Sequence, residues 1–84
     1  MVMRIPEVSE GLSNCAIAEL VGDEWDWAAT KFPPFASAHE GYSIILEEVD
    51  ELWEEVRKGN KAKARAEAVQ VAAMALRFIH DVIG

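Results

Sequence analysis

From Phe35 to Gly84 the chain contains no proline, and the pair Gly59-Asn60 divides that length into two stretches with helix signals at their ends. Ser37 followed by Glu40 is a capping-box pattern: the Ser hydroxyl takes an orphan backbone N–H and the Glu reaches back to the cap. Nothing then interrupts a helix before Lys58 except Gly41 in its first turn. The basic pair Arg57-Lys58 suits the negative end of that helix, and Gly59 suits the residue just past it. Asn60 can cap the next helix, which is rich in alanine and is expected to run to about Ile83. Upstream, Phe32-Pro33-Pro34-Phe35 is the clear break. The stretch from about Ser9 to Lys31 places Ala16, Ile17, Leu20, Val21, Trp25 and Ala28 at helical spacings. Gly11 and Gly22 weaken it, and Asp23-Glu-Trp-Asp26 is a candidate kink. Neither the second nor the third stretch alternates as a strand does. The expectation is one all-α domain over residues 1–84: three helices, the last two an antiparallel hairpin, assembling into an oligomeric helical bundle.

Composition narrows the function classes. A chain of 84 residues has room for one core and no linker. Its hydrophobic content of 51% is too high for a disordered chain. Fifteen acids against eight bases give −7, which argues against binding a nucleic-acid polymer, because that needs a basic face. No run approaches a membrane span, and Met1-Val-Met-Arg-Ile-Pro6 lacks the apolar core of a signal peptide. The lone Cys15 excludes an internal disulfide framework and is expected to be a small buried side chain. These features predict a cytoplasmic protein with no membrane partner.

The acids carry the functional question. At about 100° per residue, Tyr42, Ile45, Leu46, Val49, Leu52, Trp53 and Val56 fill one arc of the second helix. Glu47, Asp50 and Glu54 fall opposite, on an expected solvated face. Glu48, Glu51 and Glu55 form a row beside the arc, with Glu48 and Glu55 at its edge. On the third helix, Glu67 shares a face with Gln70, Val71, Met74 and Phe78. A carboxylate on an apolar stripe is costly unless paired. One reading pairs Glu67 with Arg65, Lys63 or a basic residue elsewhere. The other faces it towards Glu48 and Glu51 across the hairpin, where three carboxylates and the Gln70 amide oxygen make an oxygen cage suited to Mg²⁺ or Mn²⁺.

The run Leu46-Glu-Glu-Val-Asp-Glu-Leu52, followed by Glu67-Ala-Val-Gln70, resembles the MazG-like all-α nucleoside triphosphate pyrophosphohydrolases. That family carries E-x-x-E on one helix and E-x-x-D on the next, which together bind Mg²⁺. Glu48-Val-Asp-Glu51 matches the first motif, and Glu67-Ala-Val-Gln70 matches the second with glutamine in place of aspartate. The likeness spans roughly Phe32 to Asp81. It implies Mg²⁺ (or Mn²⁺) held by Glu48, Glu51, Glu67 and Gln70, and hydrolysis of a (deoxy)nucleoside triphosphate to monophosphate and pyrophosphate. Glu47, or Glu48 itself, would act on the water. Lys31, Arg57, Lys58 and Lys63, with Lys61 and Arg65 in the same basic group, would meet phosphate. His39, Phe35, Tyr42, Trp25 and Trp27 are the stock near the loop from which a base-binding wall would be drawn. Gln70 brings one less charge than aspartate, which weakens metal binding. Two alternatives stand beside this activity: a non-catalytic oligomerisation or regulatory module of the same fold, and a phosphoribosyl-nucleotide pyrophosphohydrolase. The partner expected in every case is a second copy, as homodimer or homotetramer. Its basis is an apolar surplus: the second helix is apolar over about half its circumference, and Trp25, Trp27, Trp53, Ile44, Phe78 and Ile79 add large side chains beyond one seam. The third helix has two neighbouring stripes, Val69-Ala73-Leu76 and Val71-Met74-Phe78, where a three-helix monomer needs one.

Overall fold

A computed structural model describes residues 6–83, and the lead-in Met1 to Ile5 lies outside them. The described residues form three α-helices and no strand: α1 (Asn14–Lys31), α2 (Ala38–Lys58) and α3 (Lys61–Asp81). Each start is capped as its local sequence dictates. Ser13, Ser37 and Asn60 accept from the N–H groups of Ala16, Glu40 and Lys63, each at 3.1 Å. At Ser37 the reciprocal half differs from the expected box: Glu40 Oε1 accepts from the Ala36 N–H at 3.2 Å, one residue before the cap. Gly59 ends α2 with φ 77°, a left-handed conformation natural to glycine. The first helix begins at Asn14 rather than near Ser9 and runs unbroken through Asp23–Asp26. The third ends at Asp81, two residues before Ile83.

The backbone of α3 is central. Both α1 and α2 pack against it, and their own backbones do not approach each other. Val69 and Ala72 border Ile17 and Val21 of α1, while Phe78 reaches Gly41 of α2. Val69, Ala73 and Met74 of the two α3 stripes are buried within the chain, Val71 and Phe78 are half-buried, and Leu76 stays exposed. Cys15 is exposed in the first turn of α1, not buried as expected, because the stripe of that helix runs through Val21 and Ala28 instead.

The Pro33-Pro34 connection is held by a residue with no part in the sequence reading. Arg77 is 2% exposed. Its Nη2 donates to the Phe32 carbonyl at 2.8 Å and to the Pro33 carbonyl, and its guanidinium stacks 4.9 Å from the Phe35 ring centre. Asp81 completes the clamp, with Oδ2 accepting from the Phe35 N–H at 3.1 Å and from Arg77 Nε at 3.3 Å. A loop with two prolines offers carbonyls but few N–H groups, so it needs an outside donor of this kind.

Candidate metal centre

The side of α2 that meets α3 is not the centre of its apolar arc. Tyr42, Leu46, Val49, Trp53 and Val56 are exposed, whereas Gly41 and Glu48 are buried and Ile44, Ile45 and Leu52 half-buried. The contact face is therefore turned towards the acidic side of the helix. That rotation carries Glu48 from the expected edge to full burial, at 0% exposure. Neither of its carboxylate oxygens has a hydrogen-bond partner.

Across the hairpin, Glu67 on α3 is buried at 7% exposure, and Glu51 lies one turn beyond Glu48 at the solvent margin. One carboxylate oxygen from each of Glu48, Glu51 and Glu67 lies within 4.8 Å of the others. Burial, followed by the neighbouring Glu51 and Glu67 charges, pushes the Glu48 carboxyl up to about 8. Glu67 is raised as well, first by burial and then by Glu51 and Glu55, with Lys63 acting in the opposite sense. A cation relieves both penalties at once. Oxygens around an octahedral Mg²⁺ stand about 3.0–4.2 Å apart, so the trio would draw closer than its 4.8 Å limit to take one ion. The all-oxygen donor set suits Mg²⁺ or Mn²⁺.

The remaining candidates divide. Gln70, one turn after Glu67 on α3, is buried at 1% exposure, and its Nε2 donates to Glu24 Oε2 of α1 at 3.1 Å. Glu47 is exposed next to Glu48, close enough for its charge to act there. Lys63 stands one turn before Glu67. Arg65 donates through Nε to the Val8 carbonyl at 3.3 Å, and the expected ion pair with Glu67 does not form among the described residues. Arg57 pairs with Glu54, and Lys58 lies 3.8 Å from Glu55. Lys31 is exposed in the last turn of α1, and His39 is exposed in the first turn of α2.

No aromatic wall gathers at the acids. Phe35 is core, Trp25 meets His80 edge-on at 5.6 Å, Trp27 meets Phe32 at 6.2 Å, and Tyr42 faces outward. A cavity of about 310 Å³ between the segment at Val8, α1 and α3 is lined by apolar groups such as Leu12, Ile17 and Ala72 and carries no carboxylate.

Glu24 is the residue that sequence reasoning missed. It is 3% exposed and falls four residues before Ala28 and three after Val21, on the stripe already recognised. The rule that singled out Glu67 applies to it equally. No family model, curated protein or solved structure matches this chain.

Proposed function

We propose that the chain is a divalent-metal-dependent pyrophosphohydrolase acting on (deoxy)nucleoside triphosphates. One observation carries the cation: a carboxylate fully buried, with both oxygens unpartnered, beside two further carboxylates. The substrate class is supported by the pair of acidic motifs and their resemblance to the MazG-like family. Glu48, Glu51 and Glu67 would hold Mg²⁺ or Mn²⁺, with the Gln70 carbonyl alongside. The ion, when bound, neutralises charge on the phosphate oxygens. Glu47 is assigned to the water, taking its proton as the water oxygen replaces the anhydride oxygen on phosphorus and pyrophosphate departs. Lys63, and Lys58 at the same end of the hairpin, are placed to offset the charge of the phosphate tail.

A second copy completes the reading. Tyr42, Leu46, Val49, Trp53 and Val56 recur at alternating steps of four and three, and they are 63%, 44%, 39%, 59% and 52% exposed. This is the spacing of a coiled-coil seam, and these side chains stay exposed among the described residues. It exposes roughly 600 Å², the upper end of what a monomer carries as one patch. Pairing two copies face to face buries about 1,200 Å², the lower bound of a stable interface.

The non-catalytic module is favoured by Gln70, and one experiment separates the two. Pyrophosphate release is measured for a panel of canonical and modified nucleotides and a phosphoribosyl-nucleotide, with Mg²⁺ and with chelator. The proposal expects Mg²⁺-dependent release from nucleoside triphosphates, lowered at least a hundredfold in Glu48→Gln and Glu67→Gln. It also expects Mn²⁺ at a hundred times its Kd to raise the parent's Tm by on the order of 10 °C. A Tm shift without turnover of any nucleotide makes the chain a metal-binding module.

A further inference from the structure

Glu24 and Gln70 form a buried pair between α1 and α3, and neither the two acidic motifs nor the proposed cage explains it. On the helical wheel of α3, Gln70 lies between the stripe that meets α1 and the stripe that meets α2. Its amide can therefore address both sides. The nitrogen is directed to Glu24 on α1 at 3.1 Å. An amide is planar, with its oxygen splayed from its nitrogen, so an Nε2 committed to Glu24 leaves the carbonyl oxygen to address a different neighbour. Glu67, whose carboxylate gathers with those of Glu48 and Glu51, stands one turn before Gln70 on α3.

We infer that Glu24 is a positioning residue for the cation site, fixing the Gln70 amide so that its carbonyl oxygen is presented to the carboxylate trio. The inference rests on the cation reading above. Its chemistry answers the loss of a carboxylate in the second motif. A carboxylate that accepts from an amide N–H draws electron density onto the amide oxygen, making that oxygen a stronger donor to a cation. Glutamine at this position then works as a relay between a buried carboxylate and the cage.

The test is calorimetric titration of Mn²⁺ into the chelator-stripped full chain, for the parent, Glu24→Gln, Gln70→Ala and the double variant. Gln keeps the shape of Glu24 and removes its charge. Glu24→Met, of similar length, is carried alongside with circular dichroism, so that a folding failure of one variant does not end the test. Glu24→Gln is expected to weaken Mn²⁺ about tenfold, the low end for residues that orient a ligand. Gln70→Ala should weaken it at least as much, and the double variant should bind no more weakly than Gln70→Ala alone. Parent-like affinity in Glu24→Gln overturns the inference and leaves Glu24 as a pin between helices. An equal further loss in the Gln70→Ala background also overturns it, since Glu24 would then act without the amide. A parent that binds no Mn²⁺ takes down the cation reading itself, which sets that failure apart from the other two.

Discussion

Glu48 and Asp81 are helical acids whose side chains are both shielded from solvent, yet their surroundings act on them in opposite directions. Burial opposes the charge of Asp81, but the hydrogen bond with His80, the Phe35 N–H and the Arg77 guanidinium outweigh it and hold the group below the usual carboxylate range. At Glu48 nothing compensates, and the carboxyl rises from an ordinary 4.5 to about 8. Without metal, the folded chain then holds a proton that the unfolded chain has released anywhere between those two values. Stability from this group is complete below 4.5 and is lost as pH rises through about 8. Melting in chelator should therefore give a Tm that falls from pH 5 to pH 8.5, with a shallower fall in Glu48→Gln. Saturating Mn²⁺ should recover most at the alkaline end. A Tm in chelator that is flat or rising over this range contradicts the burial of an uncompensated Glu48. Arg77 shows where single residues are unreadable in sequence. On its wheel it resembles any solvated cation, and it is buried only because Phe32 and Pro33, more than forty residues away, turn their carbonyls towards it.

Helix ends were legible because capping is local: Ser37, Gly59 and Asn60 need only their immediate neighbours to act. Helix faces were less so. The broad apolar arc of α2 does not say which edge meets α3, and the answer is set by Gly41. A Cβ added there would stand 2.6 Å from Phe78 Cδ2 and 2.9 Å from Phe35 Cδ2. The glycine that weakens the helix by its propensity thus lets α2 close on both rings, and this close approach accompanies the turn of the helix that buries Glu48. Gly22 is the control, since nothing lies within 4 Å of its added Cβ. Gly41→Ala is expected to destabilise by about 1–2 kcal/mol, overpacking exceeding the helix-propensity gain. Gly22→Ala is expected to stabilise by about 0.5–1 kcal/mol. Urea denaturation measures both, and equal signs for the two would mean that Gly41 does not set the approach of α2. Glu67 was readable as a lone acid on a stripe. Glu24 was readable by the same logic but was hidden inside Asp23–Asp26, where clustered acids suggested a kink.

Among the described residues the exposed large apolar side chains include Ile17, Leu76, Ile79 and Ile83, but only those of α2 line up as one seam, which sedimentation can test. At micromolar concentration the parent should sediment above the 9.3 kDa of one chain. The variant with Leu46→Glu and Trp53→Glu should run as a monomer with its helicity retained. A parent that sediments as a single chain removes the shared seam. The central placement of α3 also bears on the order in which the molecule assembles. The turn between α2 and α3 is the shortest connection in the fold, so the hairpin has the least loop entropy to overcome and is the natural nucleus, with α1 docking afterwards. That nucleus brings Glu48, Glu51 and Glu67 together at the step where chain entropy is being lost. The folding barrier, and not only the finished structure, should then feel their repulsion, and newly made chains would cross it faster where divalent ions are plentiful.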